Sequence, residues 1–551
     1  MKRSRQVRRL REESFDLLVV GGGITGTAVA RDAAQRGLRC ALVEARDFGE
    51  GTSSRSSRLI HGGLRYLEQL DFDLVFEASQ ERRTLLRIAP HLVRPLEFLF
   101  PIYRESRIGK LKLDAGMWLY DALSLFRNIE RHQMLDADAV LEREPGLRPD
   151  GLLGGARYFD AQVDDARLVL VTALAAIEEG AAVANRVEVH DIERVANGHR
   201  LRVRDAESAE EWEIDATSVV NATGPWTDRT RALAGVGGAP LVRPTRGTHV
   251  HIRRERLPHG RALIFESAVD GRIMFVLPWR DLTMIGTTDE FDDRPPEGVA
   301  PTAEDVRYLL DSTNHLFPEV ALSEEDIEGA WAGLRPLAVA GGGADSASED
   351  EISRDFVVQE DPPGLFTVAG GKLTSHRAMA EDTVDEVVDF LEVLGVHAHG
   401  ECRTAREPLP GGDFDGLDGL CAGIRAAGRK LGVAEAGANR LARAYGTRAE
   451  AVLELVRGRP ELARPIVDGR PHIGAEVVYA ARNEMARHVE DVAYRRTRVG
   501  VETRDGFEPA CRRIAELMGG ELGWDAARME REIERTRAIR RRDERFRQRR
   551  R

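Results

Sequence analysis

The sequence predicts an α/β protein in which a Rossmann domain is interleaved with a mixed or antiparallel β-sheet domain and followed by an all-α domain. Three observations predict this fold class. Near the N-terminus, a glycine turn separates a strand pattern from a helix pattern. Residues 182–220 and 241–290 contain alternating or short apolar runs typical of β-strands. From 417 to about 530 the chain is rich in Ala, Arg, Glu and Leu, as helices are.

The N-terminal glycine turn has the GxGxxG form of a dinucleotide site. Gly21, Gly23 and Gly26 follow the apolar run 15–20, and Glu44 ends the next predicted strand about 20 residues later. The first glycine permits a tight turn, the second lets a pyrophosphate approach the backbone, and the third lets helix and strand pack closely. A helix N-terminus attracts phosphate. Because strand, turn, helix, strand and acid occur in this order, the sequence favours nucleotide binding over a glycine turn without a ligand.

Changes in composition predict the domain boundaries. A basic N-terminal tail (1–14), a linker (396–416), a helical domain (417–534) and an Arg-rich tail (535–551) flank the two interleaved domains. The nucleotide domain takes segments of about 15–90, 150–235 and 340–395, and the β-rich domain takes about 91–149 and 236–339.

Charge and cysteine content limit the possible functions. The 551 residues carry a net charge of −12, but the two ends are basic, with net charges of +4 and +8. The acidic remainder disfavours nucleic-acid binding. The basic ends are predicted to be solvated tails, with contact to anionic lipid as the alternative. Four separated cysteines form no CxxC pair, so no metal or iron–sulfur centre is expected and a reducing cytoplasm fits. The sequence contains no run of 18 apolar residues, so no transmembrane helix is predicted.

Three further segments carry motifs. The run VVNATGPW (219–226) is a strand entering a small-residue turn, which after GxGxxG favours FAD over NAD. The run VAGGKLT (368–374) precedes a predicted helix whose N-terminus could face a flavin and stabilise negative charge. The run TSSRSSRLIHGGLRYLE (52–68) offers hydroxyls and glycine N–H groups that suit a pyrophosphate.

These motifs, together with ARYFDAQVDDARLVL, RGTHVHI, FVLPW, IGTTD, GLRPL, SRDF and LPGG, resemble those of FAD-dependent glycerol-3-phosphate dehydrogenases. They occur in the order found in that family from about residue 14 to 415, and a weaker similarity continues through 476–498. The resemblance implies a glutathione-reductase-like FAD domain, a substrate-capping β-domain and a C-terminal helical cap. It also implies oxidation of sn-glycerol 3-phosphate to dihydroxyacetone phosphate, with hydride passing from C2 to flavin N5 and electrons passing to membrane quinone.

Two departures refine this expectation. The chain lacks the cysteine-rich C-terminal segment of the anaerobic type, and it shows no clear form of the insertion usual in glycerophosphate oxidases. Both favour the respiratory, single-subunit type. Such an enzyme is expected in the cytoplasm, attached peripherally to the inner face of the cell membrane, and a homodimer is possible.

The resemblance also implies the site residues. The candidates for a phosphate clamp are Arg335, in apolar surroundings, together with Arg354, Arg65 and Tyr66. His249 is the preferred base, with His61 and Lys372 as alternatives, and Lys372 could also stabilise charge. The predicted cofactor residues are Gly21, Gly23, Ile24, Gly26, Glu44, Ala45, Thr52, Ser53, Ser54, His61, Gly62, Gly63, Leu64, Val187, Ala222, Thr223, Gly224, Trp226, Gly371, Lys372, Leu373 and Thr374.

Three other functions remain open at this point. One is a glycerophosphate oxidase that uses oxygen. Another is an FAD-containing RNA-modifying or RNA-binding protein, which would need a basic groove that the acidic body disfavours. The third is a non-catalytic scaffold that retains FAD.

Overall fold

The computed structural model describes residues 2–63, 71–339 and 355–550, and within these ranges the strands form two sheets. The first sheet has the strand order β17-β18-β10-β1-β2-β7, extended by β9 and β8. Its strands are β1 (Phe15–Val20), β2 (Cys40–Glu44), β7 (Ala182–Asn185), β8 (Val187–Val195), β9 (Gly198–Asp205), β10 (Glu211–Asn221), β17 (Phe356–Glu360) and β18 (Leu365–Gly370).

The centre of this sheet is parallel and buried on both faces. Strand β1 pairs in parallel with β10 and β2, and all six of its residues are buried. A parallel strand covered on both faces needs a continuous apolar run, as this one has. Helices α2 (Ile24–Gln35), α6 (Asp165–Glu178) and α9 (His376–Val393) cover one face, and α1 (Arg3–Glu12) with the β8–β9 ribbon covers the other. The carboxyl ends of β1, β2 and β10 therefore open at one edge, where nucleotides bind in such sheets.

The second sheet is mostly antiparallel and has the order β15-β11-β14-β13-β12-β4-β6-β3, with β16 paired to β11 and β5 paired to β6. Its strands are β3 (Leu59–Ile60), β4 (Val93–Tyr103), β5 (Gln133–Leu135), β6 (Leu152–Val163), β11 (Val242–Arg253), β12 (Ala262–Glu266), β13 (Ile273–Trp279), β14 (Leu282–Gly286), β15 (Glu290–Phe291) and β16 (Ile327–Ala338). Strands β3 and β6 lie in this sheet, although the sequence boundaries put 59–60 and 150–163 in the nucleotide domain. The reason is that β6 pairs along its full length with β4.

The helices surround both sheets and form the C-terminal domain. They are α1 (Arg3–Glu12), α2 (Ile24–Gln35), α3 (Phe72–Ile88), α4 (Lys110–Leu123), α5 (Ala137–Arg143), α6 (Asp165–Glu178), α7 (Thr227–Leu233), α8 (Ala303–Leu316), α9 (His376–Val393), α10 (Leu417–Lys430), α11 (Glu435–Tyr445), α12 (Ala449–Gly458), α13 (Gly474–Asn483), α14 (Val489–Asp491), α15 (Val499–Glu502), α16 (Phe507–Leu522) and α17 (Ala526–Asp543). Helices α13 to α17 share an apolar core with the second sheet, whereas α10, α11 and α12 pack with α13 in a core of their own, so the C-terminal domain is joined to the second sheet.

Both basic ends are folded, and the expectation of solvated tails is wrong. At the N-terminus, α1 buries Val7 and Leu10 against the first sheet, and Arg3 forms an ion pair with Asp205. At the C-terminus, α17 continues to Asp543, and Phe546 is buried against the second sheet. Few apolar residues anchor these segments. Their arginines reach carboxylates and carbonyl oxygens that only the tertiary fold brings close, and composition alone does not reveal such partners.

Candidate active site

The glycine turn is packed as a dinucleotide cradle requires. Gly21 has a φ of +111°, and a Cβ there would lie 2.6 Å from the carbonyl oxygen of Ala222. At Gly26 a Cβ would lie 2.0 Å from the carbonyl oxygen of Gly21, so only glycine permits this approach of helix to strand. A Cβ at Gly23 would meet only the Ser53 Oγ, at 3.3 Å, which leaves the turn open towards the cavity.

Glu44 and Ser53 hold this turn from opposite sides. The Glu44 carboxylate accepts hydrogen bonds from the backbone N–H of Gly22 at 2.6 Å and of Arg46 at 2.7 Å. Burial raises the pKa of Glu44, and these two hydrogen bonds oppose the shift. Ser53 Oγ accepts from the N–H of Ile24 at 3.0 Å, at the N-terminus of α2. The donors and the acid therefore meet the requirements of a pyrophosphate and a ribose.

A cavity with a volume of ≈ 440 Å³ begins at this turn and extends between the two sheets. It reaches His249 on β11 and Arg335 on β16, which the sequence predicted as base and phosphate ligand, and also Lys372. The predicted cofactor residues that line it are Gly21, Gly23, Ile24, Glu44, Ala45, Thr52, Ser53, His61, Val187, Ala222, Thr223, Gly224, Trp226, Gly371, Lys372 and Leu373. The residues on this list come from both sheets and their connections, and the fold brings them to one cavity.

Other predicted cofactor residues lie behind the lining. Gly26 packs on Gly21, as described. Thr374 exchanges hydrogen bonds with the backbone of His61. Gly62 donates its N–H to Asp160, and a Cβ there would lie 2.3 Å from the Tyr120 hydroxyl. Ser54 and Gly63 also lie outside the lining. These residues shape the cavity walls in this structure instead of facing the space. Leu64, Arg65, Tyr66 and Arg354 fall outside the described residues.

Arg335 is held in a fixed orientation at the lining of the cavity. Its guanidinium donates to Asp289 Oδ1 at 2.9 Å and to Thr287 Oγ1 at 3.0 Å, and its side chain is 24% exposed. An arginine has five N–H donors in a planar fork. The guanidinium also donates to the carbonyl oxygen of Thr288, at 3.3 and 3.2 Å, so its plane is fixed at the lining of the cavity.

His249, on strand β11 of the second sheet, is buried against the loop formed by residues 52–58, the cofactor loop. Its Nε2 shares a hydrogen bond of 2.8 Å with Ser57 Oγ, and its ring stacks on Trp331 with planes 8° apart. Among the described residues, its Nδ1 has no hydrogen-bond partner. Burial, and then the charges of Arg335 and Arg58, lower the pKa of His249 well below its usual value. The imidazole is therefore neutral and able to accept a proton.

The sequence reasoning missed several residues around this histidine. Ser57 and Arg55 belong to the TSSRSSRL run, and both line the cavity, so the motif itself offered the signal. Arg55 donates to the carbonyl oxygen of Ala332 at 3.1 Å. Asp289 ends the IGTTD motif. Its pairing with Arg335 becomes visible only in the folded structure. Trp331 gave no signal, since a tryptophan beside GLRPL is equally suited to a core.

The fold and the cavity define a class of protein, a two-sheet flavoprotein oxidoreductase. Residues 16–386 match the family model described as FAD dependent oxidoreductase, and residues 402–529 match the C-terminal domain of alpha-glycerophosphate oxidase. An aerobic glycerol-3-phosphate dehydrogenase of Staphylococcus saprophyticus is 36% identical over 95% of this chain and 94% of its own length. Glycerol-3-phosphate dehydrogenase 2 of Mycobacterium bovis is 38% identical over 96% of this chain and 88% of its own.

A solved structure agrees with these relatives. The glycerol-3-phosphate dehydrogenase of Bacillus halodurans, complexed with FAD, superposes with a TM-score of 0.81 at 30% identity, over 98% of this chain and 97% of that chain. The chain belongs to the family of FAD-dependent glycerol-3-phosphate dehydrogenases. The predicted family, fold class and FAD cofactor are thereby confirmed.

Proposed function

We propose that this enzyme oxidises sn-glycerol 3-phosphate to dihydroxyacetone phosphate and passes the electrons to membrane quinone. One observation carries the proposal: a single cavity joins the dinucleotide turn to an anchored arginine and a buried neutral histidine. The relatives named above supply the substrate class. The turn at 21–26, Glu44, Ser53 and the 370–373 turn are the residues that would hold FAD. When bound, FAD supplies the hydride acceptor.

Arg335 is the proposed ligand of the substrate phosphate. Asp289 and Thr287 fix the guanidinium plane, so little side-chain freedom is lost when an anion binds. A planar fork bonds two phosphate oxygens at once, which orients the glycerol chain as well as attracting its charge. Arg65, Tyr66 and Arg354 stay predicted ligands of the same phosphate, because they lie outside the described residues.

His249 is the proposed acceptor of the C2 hydroxyl proton. Ser57 and Trp331 fix the ring plane, and Nδ1, which has no hydrogen-bond partner in the described parts of the chain, keeps a lone pair when the proton resides on Nε2. A dianionic phosphate near Arg335 would offset one of the charges that depress the pKa of His249. Substrate binding would then make the imidazole a stronger base when it is needed. His61 and Lys372 remain the alternatives, since both line the same cavity.

The proposed quinone acceptor requires contact with a lipid surface. No helix in the described parts of the chain is long and apolar enough to cross a membrane. The Arg-rich C-terminal segment is a weak candidate for lipid binding, because several of its described arginines already contact protein groups. Arg537 pairs with Glu508, and Arg540 donates to the carbonyl oxygens of Gly500 and Glu328.

Helices α3 and α4 offer a better docking face. They pack together and expose large apolar side chains, which continue into the turn after α4. These side chains are Phe72, Phe76, Leu111, Trp118, Leu119, Leu125 and Phe126. The exposed basic residues Lys110 and Arg127 lie at the two ends of this α4 stretch. Apolar side chains rimmed by cations suit an anionic bilayer surface, so we assign this α3–α4 face to peripheral attachment.

The activity test reduces the flavin without oxygen and then compares two oxidants. Purified protein is mixed with sn-glycerol 3-phosphate without oxygen, and the flavin absorbance is followed. Bleaching, followed by reoxidation with a soluble quinone faster than with air, is the expected result. Reoxidation by oxygen at a similar rate, with peroxide formed, would assign the oxidase function instead. A flavin that sn-glycerol 3-phosphate does not bleach would overturn the proposed substrate.

The attachment test compares two matched surface variants. Replacing Leu111, Trp118 and Phe126 by Ser should reduce co-sedimentation with phosphatidylglycerol vesicles several-fold while dye-linked activity stays intact. The control replaces Val393 and Leu394, two exposed apolar residues at the end of α9, by Ser. If the control variant loses vesicle binding equally, or the triple variant sediments like wild type, the α3–α4 face is not the docking surface.

A further inference from the structure

One segment of the C-terminal domain, residues 495–502, lies behind the active site and touches both sheets. The segment begins in the last two residues of a π-helical turn, Val492–Arg496. It contains Arg498 in a left-handed conformation, with a φ of 70°. Such turns place side chains where a regular helix would not. Its close fit to the second sheet is visible at Gly329, where a Cβ would lie 2.4 Å from the carbonyl oxygen of Val501.

Arg498 connects this segment to the loop that lines the cofactor cavity. Its guanidinium donates to the carbonyl oxygen of Ser54 at 2.9 Å and to Asp165 Oδ1. The other oxygen of Asp165 accepts from Ser56 Oγ at 2.8 Å. Arg498 is 3% exposed and Asp165 is fully buried. The 54–56 backbone is therefore fixed from outside the nucleotide domain.

The next residue of the loop carries this connection to the proposed base. Ser57 Oγ shares its hydrogen bond with His249 Nε2. The same segment also reaches the second sheet, since the carbonyl oxygen of Val501 bonds His251 Nδ1 at 2.8 Å and Glu502 accepts from Trp279 Nε1 at 2.8 Å. The segment thus contacts both partners whose relative placement sets the Ser57–His249 hydrogen bond.

A buried ion pair is poor evidence for stability, because desolvating two charges offsets most of their attraction. A loop that had only to stay folded could be packed with apolar side chains. We infer that Arg498 is a positioning residue that sets the cofactor loop against His249, so the C-terminal domain completes the FAD site. The inference needs FAD and does not depend on the proposed substrate.

The test measures FAD release from the holoenzyme of Arg498→Lys, by the rise in flavin fluorescence after dilution. Lysine keeps the charge but cannot bond Ser54 O and Asp165 together. We expect release at least tenfold faster than wild type and a shifted flavin absorption spectrum. The matched control is Arg167→Lys on α6, since Arg167 forms an equally buried pair with Glu484 of the C-terminal domain. The control should release FAD at the wild-type rate, although its melting temperature should fall similarly.

Ser56→Ala alone keeps the inference testable if Arg498→Lys folds poorly, since wild-type FAD release in Ser56→Ala would also overturn it; a double-mutant cycle combines the two variants where both fold. Ser56→Ala removes only one hydroxyl and should by itself speed FAD release by a few fold. If Arg498 acts through Asp165 and Ser56, the two effects on release are not additive. Additive effects, or release and spectrum in Arg498→Lys that match Arg167→Lys, would overturn the inference and leave Arg498 as one buried ion pair among many.

Discussion

At its cofactor end, the cavity is lined by a backbone turn whose hydrogen-bonding side chains, Glu44 and Ser53, are close in sequence. Glu44 holds the turn through Gly22, only 22 residues away. At its substrate end, the lining is made of side chains from distant strands. Ser57 meets His249 across 192 residues, and Arg335 meets Asp289 across 46. The first end depends on the absence of side chains at given positions, and the second depends on the presence and orientation of particular ones.

This difference implies that the two ends fail in different ways. A substitution at the cofactor end adds atoms where backbones touch, so cofactor binding is lost altogether. A substitution at the substrate end removes one or two hydrogen bonds and leaves the flavin bound, so turnover falls by a graded factor. Flavin content and specificity constant, measured on the same protein, separate these two kinds of failure.

The largest effect is expected for Gly26→Ala, which places a methyl 2.0 Å from the Gly21 carbonyl oxygen. Forcing helix α2 away from β1 widens the turn, so the purified variant should be colourless. The measurement is the ratio of flavin to protein absorbance. Gly423→Ala in helix α10 is the control, because no described atom outside its own stretch of helix lies within 4 Å of the added Cβ. A yellow Gly26→Ala protein with wild-type flavin content would contradict the expectation that atoms added at the cofactor end abolish flavin binding.

For His249→Asn, the rate of flavin reduction should fall about 10²-fold while flavin content stays normal. The pH profile gives a second signature. Since the neutral imidazole is the active form, kcat/KM should fall as pH drops through the pKa of His249, which burial places below its usual range. That acid limb should vanish in the variant. His259→Asn, at a buried histidine in the connection between β11 and β12 that bonds the Arg261 carbonyl oxygen and Thr283, should keep the limb. An unchanged profile in His249→Asn would move the role to His61, Lys372 or water.

Arg335→Lys should lower kcat/KM roughly tenfold or more, because a lost charge-assisted hydrogen bond is worth about 1.5–3 kcal/mol. Flavin content should not change. Arg246→Lys serves as the control, since Arg246 lies on the neighbouring strand, pairs with Asp292 and Asp305, and is absent from the cavity lining. Equal losses in both variants would indicate that Arg335 acts through the sheet and that the phosphate binds elsewhere.

The smallest effect is expected where the two ends meet. Ser57→Ala removes the neutral hydrogen bond to His249 Nε2, worth about 1 kcal/mol, so kcat/KM should fall about fivefold. Ser312→Ala removes a comparable buried bond to Ser267, away from the cavity, and should leave kcat/KM unchanged. A loss of flavin in Ser57→Ala would show that the cofactor loop and the base cannot be separated, and the comparison would need to be redrawn.

The same contrast explains what could be predicted from the sequence. The glycine turn and Glu44 were predicted because turn, helix and acid follow one another within one local unit, and each residue type has a specific backbone role. Arg335 and His249 were reached through the resemblance to a family, since many arginines and histidines have equal local surroundings. Their partners Asp289 and Ser57 were not assigned, because these hydrogen bonds depend on how the two sheets are placed.

At the two chain ends, the local sequence pattern gave the wrong prediction. Runs of basic residues are typical of solvated tails, and nothing in their local pattern reveals that Arg3 reaches Asp205 or that Arg540 reaches β16. Arg498 escaped prediction for the same reason, although it lies in a segment whose similarity to the family was noted. Its left-handed backbone and its two partners in the nucleotide domain follow from the packing of whole domains.

Because the C-terminal segment packs against the second sheet, the two ends of the cavity are completed at different stages of protein synthesis. Arg547 donates to the carbonyl oxygen of Glu324, 223 residues earlier in the chain, and Phe546 packs beside the start of β16. The ribosome therefore makes the whole glycine turn long before it makes the C-terminal residues that support the strand bearing Arg335. A polypeptide that ends at residue 534 through premature termination or proteolysis would retain the cofactor turn but leave the substrate strand without that support.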